Sequence, residues 1–257
     1  MNHPAYRQVA AILREAIERG QYPEAAVLPK ITDIARDHGI AKQTAREAIA
    51  ELEAEGLVEV VRRRGTVVRA RPLRRRLTRS RQVFRDERGY FFDPTAQPWN
   101  ALQPPTIDWG PAPRDVALLL GVDPAEDVLI RDRIIGDTTT REPMQLATSF
   151  LPAALARGTR LAERDTGPGG IYDLLEAMGH SPLAWEESVG ARMPTPAEAA
   201  MLALPKGVPL LRIVRSSRSP DGTAVEVNDT RMSADVFEVG YSVTRHPSAE
   251  APGPTVP

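Results

Sequence analysis

Apolar residues recur with helical spacing at the start of the chain. Val9, Ile12, Leu13, Ala16 and Ile17 follow Pro4 at i, i+3, i+4 intervals and predict an amphipathic helix that stops at Gly20. A second helix is expected over residues 30–38, burying Ile31, Ile34 and Ala35, with Gly39 supplying the positive φ of a tight turn. A third, over residues 42–55, ends at Gly56 and sets Ala45, Ala48, Ile49 and Leu52 on one face. The period then drops to two. Strands at 57–61 and 66–69 are joined by Arg62, Arg63, Arg64 and Gly65. Three helices and a hairpin predict a winged helix-turn-helix over residues 1–70.

Residues 71–90 are arginine-rich with little apolar content and read as a basic linker. The stretch 93–113 is Pro-rich and irregular, yet carries Trp99 and Trp109, expected to pack on the second domain. That domain, residues 91–245, alternates between periods. A helix at 114–120 precedes strands at 128–135 and 144–151, then a short helix after Pro152, then "GPGGIYDLLEAMGH", a turn entering a helix. A strand at 183–193 leads into a helix whose Thr195-x-x-Glu198 is a capping box. Strands at 209–217 and 223–230 flank the turn "SPDG", and a last strand lies near 238–243. The expected class is α+β with a mostly antiparallel sheet. The tail at 246–257 is expected to be disordered.

Composition narrows the chemistry. The 257 residues carry a net charge of −1, 42% hydrophobic residues and only 5% aromatics, so the cores should be aliphatic. The charge is unevenly placed. Residues 1–88 hold 19 Lys+Arg against 12 Asp+Glu, and the rest holds 14 against 22. A basic first part joined to an acidic second part points to a polyanion partner for the first alone. There is no cysteine, which excludes disulfides and thiolate chemistry, and the four histidines lie far apart. No cofactor is expected. The charged N-terminus and the absence of an apolar run of about 20 residues give the expectation of a cytoplasmic protein with no membrane partner.

Candidate chemistry concentrates at two places in the first domain. The apolar face of the third helix leaves Lys42, Gln43 and Arg46 outward, with Thr44 in the first turn. In a helix-turn-helix this end enters the DNA major groove, where Arg or Lys meets guanine and Gln meets adenine. An ordinary solvated helix start would show the same residues. Adjacent arginines at a β-turn tell more: they repel one another and gain nothing from a protein core, but beside phosphates they release counterions. Gly65 allows close approach of the turn to a duplex.

These residues carry a family resemblance. "LPKITDIARDHGIAKQTAREAIAELEAEGLVEV" and "RRRGTVV" resemble the DNA-binding domain of GntR-family transcriptional regulators. "VLIRDRIIGDTTTREPMQLATSFLP" and "GGIYDLLEAMGHSPLAWEESVGARMPTPAEAAMLALPKGVPLLRIVRSSRSPDGTAVEVNDT" are similar to the UTRA effector domain of the HutC subfamily. The resemblance implies a homodimeric regulator, usually a repressor, that binds a pseudo-palindromic double-stranded DNA operator. It further implies a chorismate-lyase-like second domain that takes a small-molecule effector. The family's DNA contacts fall on Lys42, Gln43, Thr44 and Arg46, and on Arg64, Gly65 and Thr66 of the wing, beside Arg62 and Arg63. Three positions depart from the family pattern. Thr32 stands where an arginine usually meets a phosphate, with Lys30 able to supply charge nearby; Ala41 replaces a helix-capping serine; Arg63 replaces the first glycine of the wing.

For the effector, Arg131 and Arg133 alternate on a predicted strand and share a face; the resemblance implies an anion-holding role, and surface ion pairing is the plainer reading. Gly170 and Tyr172 stand at a helix start suited to an anion, though Tyr172 could be plain core. Glu226 matches a recurring acid of the family. Ala147 stands where sugar-phosphate-binding members carry a glutamate. Glu186 and Glu187 must face opposite sides of a strand, so only one can line a pocket. Two other readings compete with the regulator: a lyase-like enzyme on the second fold, for which no nucleophile–base pair is legible, and a nonspecific nucleic-acid binder using the arginine runs alone.

Overall fold

The computed structural model describes residues 4–70, 72–79, 82–85, 87 and 99–246, and the backbone at 91–92. The disorder expected of the tail therefore falls, from residue 247 on, outside the described residues. Helices α1 (Ala5–Glu18), α2 (Ile31–Asp37) and α3 (Lys42–Ala54) appear where the 3.6-residue period placed them. Their shared core is aliphatic: Val9, Ala10 and Leu13 meet Leu28, Ile34, Ala35, Ala45, Ala48, Ile49 and Leu52, closed by Val58 and Val68. Ile12 departs from expectation at 51% exposure. The stripe centres between Val9 and Ala10, about 100° round the helix from Ile12. Fully buried Ala10, Ala45 and Ala48 have no bulk to hold the helices apart there.

Strands β1 (Val58–Val61) and β2 (Gly65–Val68) form the antiparallel hairpin, with Val61 opposite Gly65. The loop before α2 braces it. Leu28 N–H donates to Thr66 O over 2.8 Å, and Val27 bridges Val67.

The linker holds more structure than its composition suggested. Residues Arg75–Thr78 form β3, and two short strands, β4 (Phe84–Arg85) and β5 (Phe91–Phe92), pair with each other. Next come β6 (Asn100–Ala101), β7 (Thr106–Pro111), α4 (Arg114–Leu120), β8 (Asp127–Gly136), β9 (Pro143–Pro152), α5 (Ala153–Ala156) and α6 (Gly170–Leu175). The chain finishes with β10 (Ala184–Arg192), α7 (Pro196–Met201), β11 (Leu210–Arg218), β12 (Ala224–Ser233) and β13 (Phe237–Gly240). Strand β7 lies in the stretch read as irregular. Its prolines sit at or beyond its ends, where no ladder N–H is needed.

One antiparallel sheet of seven strands runs β10-β11-β12-β9-β8-β6, with β7 also paired to β8. Alternation along its strands builds two layers. Val128, Phe150, Val214 and Val227 pack on α4, whereas Leu129 and Leu151 pack with Leu161 and Leu175 on the α5–α6 side. Trp109 joins the second group under the Arg157 guanidinium, and Trp99 meets Phe237 edge to face. Beyond the sheet, β3 runs parallel to β13, with Leu77 beside Val239.

The first domain is docked on the second. Arg69, just past the wing, gives its guanidinium to Asp235, and Lys206 reaches Glu53 at 2.7 Å. Gly207 lies against the carboxyl end of α3. Its φ is +80°, and a Cβ there would come within 2.7 Å of Ala54 O, so glycine is required for both reasons.

The N-cap residues Pro4, Lys30 and Ala41 give no side-chain hydrogen bond to the starts of α1, α2 and α3. Ala41 already has the extended backbone of a cap residue, φ −64° and ψ 149°. Ala41→Ser is expected to raise stability to urea by about 1 kcal/mol. An unchanged midpoint would mean that solvent already satisfies the first-turn N–H groups equally well.

Candidate nucleic-acid interface and ligand cavity

The α3 start stands clear of the rest of the molecule. Lys42, Gln43 and Arg46 are exposed, and Thr44 is half-buried against the helix core. The Gln43 amide donates to Glu47 at 3.3 Å, a surface contact that a better partner can replace. Lys30 and Thr32 are exposed at the start of α2, on the approach to the same surface. This cluster combines bidentate donors with a core-anchored base, the geometry that base-edge reading requires.

In the wing the three arginines have different situations. Arg62 and Arg63 are exposed at the tip. Arg64 reaches back, its Nη2 donating to Ala25 O at 3.0 Å, and so ties the hairpin to the loop before α2. Arg63 holds a left-handed φ of +68°, where the glycine of the family pattern would be at ease. Gly65 has φ +103°, so the turn itself demands glycine, whatever approaches it from outside. Thr66 is half-buried in the hairpin ladder.

The second place of interest is a cavity of about 590 Å³ on the α6 side of the sheet, a size suited to a small organic ligand. Alternation decides which side chains enter it. Odd positions of β8, β9, β10 and β11 and even positions of β12 face the cavity. The parity change on β12 follows from a bulge: Ser217 pairs with Glu226, but Arg218 pairs with Ala224. Arg131, Arg133, Glu187, Arg215, Glu226 and Asn228 thus converge. Glu187, not Glu186, is the inward glutamate. Ala147 lines the wall as well.

Each charge here is conditioned by burial. Arg131, 5% exposed, donates to Leu161 O at 2.7 Å and to the carbonyls of Glu163 and Arg164. Burial and then Arg133 lower its pKa to about 10. It holds the 161–164 loop while bordering the cavity, and no surface ion pair is involved. Arg133 donates to Ser149 Oγ at 2.9 Å, while its buried Nε finds no partner among the described residues. Glu226 is fully buried. Its Oε2 accepts from Ser217 Oγ at 2.7 Å and from the Tyr172 hydroxyl at 3.1 Å, but Oε1 has no partner among the described residues. Burial raises its pKa despite hydrogen bonds from serines and the nearby charges of Arg133 and Arg215. Burial, then Glu226, pushes Tyr172 up to about 12. Gly170 opens α6 and borders the cavity with Tyr172.

Sequence reading missed Arg79, Arg164, Arg215 and Asn228. Arg215 and Asn228 sat at alternating positions of recognised strands, and parity alone could have selected them. Arg79 lay in a segment read as solvent-exposed, so no periodicity marked it. His180 places Nδ1 3.1 Å from Ser219 Oγ. Among the described residues no group of three or more metal-ligating side chains occurs, and no helix is long and apolar enough to cross a membrane.

Both domains have counterparts among known proteins. The family "Bacterial regulatory proteins, gntR family" matches residues 5–68, and the UTRA domain matches residues 106–238. An uncharacterised HTH-type transcriptional regulator of Streptomyces coelicolor is 32% identical over 234 residues, 87% of this chain and 86% of its own length. The HTH-type transcriptional repressor NagR of Bacillus subtilis is 26% identical, covering 87% of this chain and 88% of its own. A crystal structure assigned to a GntR-family transcriptional regulator superposes with a TM-score of 0.64 at 30% identity, over 95% of this chain and 99% of that one.

The buried carboxyl of Glu226 gives a pH-dependent expectation. Its folded-state pKa is raised, so its contribution is fully present below the ordinary carboxylate value of about 4.3 and is lost as pH rises through the raised value. In urea unfolding from pH 4 to pH 8, Glu226→Gln should gain stability relative to the unmodified chain as pH increases. Parallel curves would place the carboxyl in a polar, relaxed environment instead.

Proposed function

The chain belongs to the GntR family of bacterial DNA-binding transcriptional regulators, with the UTRA domain of its HutC subfamily, and we propose that it is a cytoplasmic, homodimeric repressor released from its operator by a small anionic effector. In this reading residues 1–70 read DNA and 71–90 connect. Residues 91–245 bind the effector and the second copy, 246–257 form a tail, and the effector leaves chemically unchanged.

One observation carries the reading: the exposed α3 start and the exposed wing tip sit on one core, while the ligand cavity lies in the other domain. Arg46 and Gln43 would read base edges, while Lys42, Lys30, Arg62 and Arg63 would meet phosphates or the minor groove. Arg64 and Gly65 would hold the wing in shape, and Thr32 and Thr66 would be minor contacts. A dimer would place two such heads about one helical turn apart on a pseudo-palindrome. Five arginines (Arg79, Arg131, Arg133, Arg164, Arg215) against three acids (Asp165, Glu187, Glu226) border the cavity. That surplus favours an anionic group on the ligand, with Glu226 and Asn228 as polar partners for the remainder. The relative NagR is a repressor, which supports the sign of the regulation.

Selection of bound sequences from random DNA supplies the operator for the test. On that operator Arg46→Ala should lose discrimination against single-base mismatches by about five- to 150-fold, corresponding to about 1–3 kcal/mol. Arg62→Ala and Arg63→Ala should weaken all sequences equally and lower the slope of log K against log salt by about 1 each. Footprinting should show two half-sites. A single unrepeated site, or uniform weakening by Arg46→Ala, would overturn the reading.

A further inference from the structure

The linker wall of the cavity holds an ion triad whose internal pairing the regulatory reading leaves unused. Arg215 donates to Glu187 Oε1 from Nε at 2.8 Å and from Nη2 at 2.7 Å. Arg79 approaches the same carboxylate from the other side, through Nε at 3.3 Å and through Nη2. All three side chains border the cavity and are only about a quarter exposed or less. Two cations share one carboxylate, so the triad carries an excess positive charge facing the cavity.

Arg79 follows directly on β3, whose Leu77 also borders the cavity. Its Leu77 is buried with Met144, Ile213, Met232 and Phe237. The strand has four residues and, among the described residues, pairs with β13 alone. Flanking bonds run from Arg75 N–H to Val236 O and from Arg79 N–H to Gly240 O, each 2.7 Å. The contact of Arg76 with Glu238 is solvent-exposed and contributes little. The Arg79–Glu187 pair, mostly shielded, ties the end of the strap to β10. At the far end of the same segment, Asp235 holds Arg69 beside the wing.

We propose that Glu187 is an internal competitor for the ligand's anionic group: it occupies Arg215 until a ligand anion takes that guanidinium, and its displacement unlatches Arg79 and the β3 strap from the cavity wall. This rests on reading the cavity as an anion site. An anion on Arg215 would stand at close range to the Glu187 carboxylate, and like charges in a partly desolvated site repel strongly. The carboxylate then leaves Arg215, and its geometry no longer holds Arg79. The strap couples to the wing through Asp235 and Arg69, so the same event changes how firmly the reading head is held.

The test is amide hydrogen exchange on the full chain, with and without saturating inorganic phosphate, while tryptophan fluorescence reports phosphate binding at the cavity lined by Trp99. Without phosphate, Glu187→Gln should speed exchange of residues 75–79 roughly tenfold, the scale of one charge-assisted hydrogen bond, leaving β8, β9 and β12 unchanged. Glu186→Gln, on the opposite face of the same strand, should change nothing. Arg79→Gln breaks the latch from the linker side and should match Glu187→Gln should that variant fold poorly. Phosphate should reproduce the faster exchange in the unmodified chain and should bind Glu187→Gln more tightly. Unchanged exchange at 75–79 in Glu187→Gln and Arg79→Gln overturns the latch. Phosphate binding without faster exchange, or equally tight binding to both proteins, overturns it while leaving the anion cavity standing. Absence of phosphate binding in both proteins removes the cavity reading and the latch together.

Discussion

Arg69 and Asp235 form the contact on which the arrangement of the two domains turns. The arginine side chain is 7% exposed and sits at the exit of the wing; the aspartate precedes the strand that carries the linker. A guanidinium this enclosed demands a partner, because desolvation without pairing costs several kcal/mol. The pair therefore fixes where the DNA-reading core leaves off and the effector domain begins. Gly207, pressed against the end of α3 where no Cβ fits, and Lys206 on Glu53 secure a second edge of that junction. Helix α3, held at both its core face and its carboxyl end, presents its start to solvent in one orientation.

Within the effector domain the governing rule is the two-residue period of the sheet. One face carries aliphatic residues under α4, and the other carries the arginines and acids of the cavity. The bulge at Val225 keeps Glu226 and Asn228 on the cavity face although the strand before it has lost register. A cavity built this way gathers charge from four strands without any of them leaving the ladder. The cost appears in its buried groups: Glu226 is held toward its neutral form, and Arg133 keeps a buried Nε without a partner among the described residues.

Legibility in the sequence followed periodicity. The three helices, the hairpin and most sheet strands were readable because Leu52, Ile34 and Val58, or Leu129 and Leu151, recur at the spacing their element imposes. The start of α3 was readable for the same reason, since the apolar face fixes the outward one. Strands β3 and β7 were not. Leu77 is a single apolar residue among arginines, and β7 lies in a proline-rich stretch whose pairing with β8 is tertiary. Ile12 was assigned to the core because spacing alone cannot tell that alanines would carry the closest helix contact. Glu187 and Arg215 needed strand parity, and Arg79 needed the tertiary fold.

The central claim is that the α3 start and the wing tip face one duplex together. The chain has no cysteine, so single cysteines at Gln43, Arg63 and Glu186 can each carry an iron chelate for site-directed DNA cleavage. Cuts centred on a major groove are expected from position 43, cuts offset into the neighbouring minor groove from position 63, and none from position 186. Cleavage from position 186 with silence at 43 and 63 would contradict the claim.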